Sequence, residues 1–410
     1  MGEWSSWVWV GGCLLGLVLL ERAHRKFFPG EKSLLSGRLG RTRRREIPGG
    51  IGSGNRIVPH GNLPIQKLVP QLPQLSNQLV HDDPELVARR IRKVLFETRC
   101  EPSRAVLTCL LAEVALLQRD REEASCRIEE ALEILDRARD PLDWRTLVAW
   151  EWLSRFRVNH FLQEGRVSEV LKLLDDSEFR LGFREWIALS RAQAYLLMGK
   201  EDLCRRETLP LLVEENSASC KRSHNDVAWA RLLLGESYLQ DREMDKLKVT
   251  IRNFGPRPRL TEGDHAVFAR LQLEILLHLK NRPAAWRQVG VLARLCEKNP
   301  NHQGLSRNLH QACARLHAVE GDYVEAHRRL QLAENDAEYP VALWDVRLQL
   351  GMLLEAEGRY DEAISVWDAL AKEAVKTRYG SLAESRRIRL VSPPQAEETA
   401  TVPSAIPTPT

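Results

Sequence analysis

Apolar residues recur at three- and four-residue spacing from about residue 83 to residue 376, and short polar turns interrupt them every fifteen to twenty residues. This spacing places the apolar side chains on one face of each amphipathic helix. The same region contains no convincing run of alternating apolar and polar residues, which is the pattern of a half-buried strand. The pattern therefore predicts an all-α chain built from successive helices.

The turns recur along the chain at positions 119, 165, 199, 242, 281, 321 and 358. In the clearest unit, residues 344–373, Gly351 is a small residue where two helices can approach closely, and Gly358 closes the first helix. The facing stripe of the second helix is predicted to consist of Tyr360, Ala363, Trp367 and Leu370. The unit before it repeats the same frame with Gly321, Tyr323 and Ala326.

These residues resemble the tetratricopeptide repeat (TPR), with its Leu-Gly, Tyr and Gly-x-Tyr-x-x-Ala pattern over about 34 residues. The resemblance implies an α-solenoid, a right-handed superhelix of about seven degenerate TPR-like helical hairpins over residues 84–376. It also implies a concave groove, lined mainly by the first helix of each hairpin, that binds a partner protein or peptide. Members of this family are scaffolds and adaptors far more often than enzymes.

The family's groove-facing side chains occupy the second, fifth, ninth and twelfth positions of the first helix. Counting back from the turns at 165 and 321 predicts the groove residues Arg155, Asn159, Asn308, Gln311 and Arg315. Arg155 and Asn159 resemble one part of the carboxylate-binding clamp of chaperone-binding members. The rest of that clamp is missing, so a solvated polar face is the favoured interpretation of this pair.

Residues 4–20 contain no charged side chain, and three tryptophans lie near their start. Nine basic residues follow between positions 22 and 45, whereas none precedes the apolar run. The stretch predicts a transmembrane helix before the solenoid, within an anchor at 1–28. The positive-inside rule then predicts a single-pass protein with the bulk of the chain in the cytoplasm. A cleaved signal peptide, a lipoprotein modified at Cys13 and a buried soluble helix are the weaker alternatives.

Two further motifs belong to this N-terminal region. Gly12 and Gly16 form a G-x-x-x-G pair, which permits close packing of anchor helices. The basic run Arg41, Arg43, Arg44 and Arg45 is predicted to meet anionic lipid headgroups. Nucleic-acid binding by this run is disfavoured because no aromatic platform or folded reader accompanies it.

Composition places the remaining boundaries. Proline and glycine predict a basic linker over 29–83, and a Pro/Thr-rich disordered tail is predicted over 377–410. The formal net charge is +4, from 60 basic and 56 acidic residues, which does not suggest a nucleic-acid coat.

Sequence motifs for catalysis or for a cofactor are lacking, since no two of the eight cysteines form a C-x-x-C pair and no phosphate-binding or dinucleotide fingerprint occurs. We therefore predict neither an enzyme nor a cofactor. His310, Cys313 and His317 share one helix face and keep a metal-dependent activity in the groove open as an alternative, although a core thiol is favoured.

The leading hypothesis is a membrane-tethered scaffold or adaptor that assembles or regulates a membrane or envelope complex. The layout of an anchor followed by a repeat array is similar to that of bacterial membrane-anchored repeat proteins. A soluble adaptor released by cleavage is the remaining alternative.

Overall fold

The computed structural model describes residues 65–391, except 139, 141–142, 183, 214–223, 255–259, 261 and 300–302. All of these residues belong to one unit, Val58–Thr410. Within this described part the chain is all-helical. Its helices are α1 Ile65–Leu68, α2 Leu72–His81, α3 Pro84–Glu97, α4 Glu101–Leu117, α5 Arg121–Asp136, α6 Trp144–Gln163, α7 Val167–Leu181, α8 Glu185–Leu197, α9 Glu201–Val213, α10 His224–Gln240, α11 Met244–Arg252, α12 Glu262–His278, α13 Arg282–Lys298, α14 Gln303–Glu320, α15 Tyr323–Asn335, α16 Pro340–Glu357, α17 Tyr360–Glu373 and α18 Arg378–Val391.

Helices α4 to α17 pair in order as seven helical hairpins, each with a first and a second helix that pack on one another. Each hairpin also packs on the next, so that the first helices follow one another along one side of the array. This arrangement is TPR-like, and the pattern of turns predicted it. The α-solenoid therefore has the number of hairpins expected from the sequence.

Every hairpin turns by the same backbone device. In the last hairpin the amide of Gly358 donates to the carbonyl of Glu355 at 3.1 Å, and the next amide, of Arg359, donates to the carbonyl of Leu354 at 2.9 Å. This pair of hydrogen bonds is the Schellman cap, which requires a residue in the left-handed conformation at its centre. The residues with positive φ at the seven turns are Arg119, Gly165, Gly199, Arg242, Lys280, Gly321 and Gly358. They match the predicted turns to within one residue.

The second helix of each hairpin buries small and aliphatic residues. In α17 the side chains of Ala363, Trp367 and Leu370 are fully buried, as the predicted stripe requires. Tyr360 differs from that prediction, because it begins the helix and remains 54% exposed. Gly351 meets Trp367 so closely that an added Cβ would lie under 3.0 Å from the indole ring.

The last hairpin and α18 pack back onto the second and third hairpins. One hydrophobic cluster joins Val158 and Leu197, from α6 and α8, to Trp344 and Tyr379, from α16 and α18. The segment that leads into α16 packs in turn on the first hairpin, where Tyr339 lies against its apolar cluster. We call these contacts together the closing seam. It brings the end of the array against its early repeats and encloses the side on which the first helices lie.

Turn residues make the closest contacts of the closing seam. An added Cβ at Gly165 would overlap the Trp344 indole, and one at Gly199 would lie 3.3 Å from the Cβ of Arg378. Arg119 and Arg121 donate to the backbone carbonyls of Asn335 and Glu338, at 3.3 and 3.0 Å. The sequence pattern contains no sign of this closure.

The helical region extends beyond the predicted 84–376 at both ends. Helix α2 lies inside the predicted linker, because Pro73 occupies its first turn, where proline is tolerated, and Leu75 and Leu79 provide a buried face. Helix α18 lies inside the predicted disordered tail. Its Tyr379 and Ala383 are buried against the preceding repeats, so this segment gains a tertiary partner that its composition does not reveal.

Among the described residues, no helix is long and apolar enough to cross a membrane. Even the most apolar helix, α4, is interrupted by Glu101, Arg104 and Glu113. This finding corrects the predicted single-pass membrane localisation with the bulk of the chain in the cytoplasm. It also corrects the transmembrane helix of the predicted fold class. The predicted span, residues 4–20, lies outside the described residues.

The other N-terminal predictions also lie outside the described residues. They concern the glycine pair Gly12 and Gly16, the basic run of Arg41, Arg43, Arg44 and Arg45, and residues 29–64 of the linker.

Candidate functional site: a channel enclosed by the solenoid

Three adjoining cavities lie on the side of the solenoid that the closing seam encloses. We name them after one lining residue each: the Trp229 cavity of about 250 Å³, the Glu274 cavity of about 250 Å³ and the Asn159 cavity of about 480 Å³. Arg270 and Arg378 line all three, so the cavities meet at these two side chains. Together the cavities form what we call the channel.

Seven side-chain amides line the channel, beside nine charged residues. The amide residues that line it are Asn159, Gln163, Gln193, Gln240, Asn308, Gln311 and Gln349. All of them lie on first helices, from α6 to α16. An amide side chain offers two donors and an acceptor, which is the combination that a peptide backbone needs from its surroundings. Gln240 has an acceptor available for such a bond, since its buried Oε1 has no hydrogen-bond partner among the described residues.

Charged residues form an ordered network where the cavities meet. Arg270 of α12 pairs with Glu236 of α10. Asp345 of α16 accepts a hydrogen bond from Gln311 at 2.8 Å and another from the Tyr379 hydroxyl at 3.5 Å. The charged and hydrogen-bonded residues at this junction therefore come from four first helices and from α18.

Burial changes the proton affinity of this network. Burial by itself lowers the pKa of the Arg270 guanidinium, but the carboxylates of Glu236 and Asp345 and the hydrogen bond to Glu236 together raise it. Burial raises the pKa of the Tyr379 phenol above its ordinary value. The tyrosine is thus neutral at physiological pH and acts as a hydrogen-bond donor to Asp345.

An apolar pocket of about 190 Å³ adjoins the Glu274 cavity, with which it shares Arg315, Gln349 and Met352. Small side chains make its walls, among them Ala314, Ala318 and Ala356. We call it the alanine pocket. It is roomy enough for one aliphatic side chain of a bound segment, given that a water-sized volume is about 30 Å³.

The structure places four of the five predicted groove residues on the channel. Asn159 and Asn308 line the Asn159 cavity, and Gln311 and Arg315 line the Glu274 cavity. Arg155 lines none of these cavities. Its guanidinium donates to Glu151 at 2.6 Å and lies 5.2 Å from the centre of the Trp186 ring. A role of these residues in partner binding remains a prediction.

The three candidate metal ligands of α14 have separate neighbours. His310 lies 3.8 Å from Asp336, while His317 lies 3.4 Å from Asp322. Cys313 is buried in the apolar core between the helices. Within the described part of the chain, no group of three or more His, Cys, Asp or Glu side chains is placed to hold a metal ion.

Arg270, Asp345, Arg378 and Tyr379 are channel residues that the sequence reasoning missed. The counting rule contains a signal for two of them. Gln311 precedes its turn at Gly321 by ten residues, and Arg270 precedes its turn at Lys280 by the same ten. Asn308 and Asp345 each precede their turns by thirteen residues. Arg378 and Tyr379 have no such signal, because they belong to the segment that was predicted as tail.

No protein-family model matches the chain, and no curated protein matches it. Among solved structures, the chain is similar to a Rap protein complexed with Competence and Sporulation Factor, with 10% sequence identity and a TM-score of 0.48, over 80% of this chain and 98% of that one. It is also similar to a tetratricopeptide repeat protein from Parabacteroides merdae, with 14% identity and a TM-score of 0.36, over 70% of this chain and 98% of that one.

Proposed function

We propose that this protein is a scaffold or adaptor that binds an extended peptide, or an extended segment of a partner protein, inside the channel. The observation that carries the proposal is the set of seven amide side chains, on five of the first helices, around three adjoining cavities. An extended chain presents one N–H and one C=O per residue and satisfies them only if its surroundings supply partners. The amides offer such partners regardless of the side chains of the bound segment.

The concave shape of the channel supports a peptide rather than a flat protein surface as ligand. Pockets that bind small ligands have volumes of about 300 to 1,000 Å³ and bury most of the ligand, and the Asn159 cavity of about 480 Å³ lies in that range. A folded domain cannot enter a space of this size. The alanine pocket would take an apolar side chain of the segment and add apolar burial to the hydrogen bonds.

The test is a selection of random linear peptides on the full-length protein, followed by calorimetric titration of the recovered peptides. Asn308→Ala removes one amide from the Asn159 cavity, and we expect it to weaken binding about fivefold, because one neutral hydrogen bond is worth about 1 kcal/mol. The matched control is Gln331→Ala, which removes an exposed amide from the second helix α15. It is expected to leave the affinity unchanged.

Two results would contradict the proposal. One is that the full-length protein enriches no peptide over a blank matrix. The other is that recovered peptides bind equally well to Asn308→Ala and to wild type but lose affinity for Gln331→Ala, which would move the binding surface to the outer helices.

A further inference from the structure

Helix α3 extends the row of second helices by one member at the start of the solenoid. It packs on α4, as every later second helix packs on the first helix of the next hairpin. Val87 and Ile91 of α3 share one apolar cluster with Ala131 and Leu135 of α5. The two helices therefore flank α4 as neighbouring ridges, and none of their residues lines the channel.

The exposed face of α3 is basic and contains an aromatic side chain. The helix has four basic and two acidic residues, a net charge of +2. Arg89 and Arg92 share one carboxylate, that of Glu85, at 3.5 and 3.6 Å. Lys93 is exposed and has no ion-pair partner among the described residues. Phe96 is 93% exposed, so an apolar side chain without a packing partner lies beside cations that are only partly neutralised.

The neighbouring ridge, α5, has the opposite charge. It contains six acidic and two basic residues, a net charge of −4. Arg127 neutralises two of the carboxylates, those of Glu123 and Glu130. Glu129 is exposed and has no cationic partner in the part of the chain that the structure describes, and Glu133 pairs with an exposed arginine of its own helix. Since exposed pairs of this kind contribute little stability, both carboxylates are available to a new cation.

The charges of the two ridges are in register. The connections that join α3 to α4 and α4 to α5 each have three residues, so α3 and α5 run parallel and end at the same level. Counting back from the two helix ends places Arg89 level with Glu129 to within one residue. Lys93 is level with Glu133 in the same way. A two-fold axis along the groove between the ridges therefore sets α3 of one copy on α5 of another at matching levels.

We propose that two copies of this protein associate through these ridges, with α3 of each copy against α5 of the other. The occupant is a second copy because this face contains both signs of charge in matching register, and a two-fold contact makes each attractive pair twice. Phe96 then lies on the last turn of the facing α5, where Arg137 of the partner subunit stacks on its ring. The dimer goes beyond the proposed function, and both channels stay open.

The experiment is analytical ultracentrifugation of the full-length protein over a series of concentrations. The α3 variant combines Arg89→Glu with Lys93→Glu, and the α5 variant combines Glu129→Lys with Glu133→Lys. Each variant has ridges of one sign, so its own copies repel one another. In a mixture of the two variants, every α3 again meets an α5 of opposite sign. Circular dichroism checks that both variants retain the helical fold.

We expect wild type to form a dimer that weakens as salt is added. Each charge variant alone should raise the dimer dissociation constant at least about tenfold, because four attractive pairs become repulsive. An equimolar mixture of the two variants should form dimers again. The matched control is Lys172→Glu, which reverses an exposed charge on α7 and should leave the dissociation constant unchanged.

The aromatic contact has its own pair of variants. Phe96→Ala should raise the dimer dissociation constant by about tenfold, as expected for an aromatic anchor of an interface. Phe179→Ala is the matched control, because Phe179 is also an exposed phenylalanine of a second helix, at 85% exposure on α7. It should dimerise as wild type does.

Three results would overturn the dimer. Wild type that stays monomeric at every concentration leaves the basic face to another occupant. Charge variants that dimerise as wild type does show that the copies meet through a different surface. Loss of dimer in both variants without recovery in their mixture shows that the charges do not pair between copies. Peptide binding in the channel is measured separately, so none of these results bears on the proposed function.

Discussion

Two glycines in this protein each lie against a tryptophan, and they differ in what the contact holds together. Gly351 meets Trp367 inside the last hairpin, between two helices that are adjacent in the chain. Gly165 meets Trp344 at the closing seam, between the second hairpin and the last. The first contact builds a repeat, and the second encloses the channel. The same kind of glycine–tryptophan contact therefore stabilises a single repeat in one case and the packing of distant repeats in the other.

The repeat interior should be the less tolerant of the two. Gly351→Leu places a side chain where even a Cβ would lie under 3.0 Å from a fully buried indole. Overpacking of this kind costs about 1 to 3 kcal/mol, and we expect a loss at the upper end because Trp367 has no space to move into. Urea unfolding of the full-length variant, followed by circular dichroism, measures this loss. A loss below about 1 kcal/mol would mean that the hairpin interior is loosely packed.

The closing seam should give a smaller effect that a matched glycine can isolate. Gly165→Ala introduces a methyl group in a left-handed conformation and also overlaps Trp344, so we expect a loss of about 2 kcal/mol. Gly321→Ala has the same kind of backbone strain, with φ of +82°, but no atom lies within 4 Å of its added Cβ. It should lose about 1 kcal/mol.

The difference between the two alanine variants measures the seam. Equal losses at positions 165 and 321 in parallel urea titrations would show that the last hairpin does not press on the second in solution. In that case the channel would be open on one side.

The seam should also respond to pH through Glu113, whose pKa is raised from 4.5 by burial. This carboxyl lies near Tyr339. Burial, and then the carboxylates of Glu338, Glu113 and Glu164, raise the pKa of Tyr339 to about 12. A raised pKa means that the folded state holds the Glu113 proton more tightly than the unfolded state does. Stability from this group is therefore present at low pH and is lost as pH rises above 4.5 and through the folded pKa.

Glu113→Gln removes this titration. We expect the wild-type thermal midpoint to fall relative to that of the variant as the pH rises above 4.5, because the carboxyl then ionises more readily in the unfolded state than in the folded state. Differential scanning calorimetry at a series of pH values measures the difference. Parallel midpoints for the two proteins across this range would show that Glu113 is solvated rather than enclosed.

The smallest effects are expected at the turns that lack glycine. Arg242 and Lys280 have φ of 59° and 54° and exposed side chains, so Arg242→Gly and Lys280→Gly should each stabilise the protein by about 0.5 to 1 kcal/mol. Arg119 has φ of 63° and also donates to the Asn335 carbonyl across the seam. Arg119→Gly should therefore gain less than the other two in the same thermal unfolding series, and an equal gain would argue against the seam hydrogen bond.

The difference between repeat and seam also explains what the sequence could predict. The turns were predictable because a Schellman cap is a local structure, and glycine marks four of the seven. Asn159, Asn308, Gln311 and Arg315 followed from those turns by counting, since a helix fixes which residues share a face. Arg155 is the counted residue that lines none of the three cavities, and its guanidinium contacts Glu151 and the Trp186 ring instead.

The closing seam could not be predicted in this way. It depends on the accumulated curvature of seven hairpins, to which every interhelical angle contributes, and no period in the sequence records that sum. Helix α18 was assigned to a disordered tail for the same reason. Its buried residues Tyr379 and Ala383 find partners only after the array has curved back onto its early repeats.

Amide hydrogen exchange of the full-length protein, with and without a selected peptide, tests the central claim of a peptide held inside the channel most directly. The account predicts slower exchange in the first helices α8, α12, α14 and α16, and unchanged exchange in the second helices α15 and α17. The Asn308→Ala variant should show less slowing at the same peptide concentration. Slowing confined to α15 and α17, or equal slowing in wild type and Asn308→Ala, would contradict it.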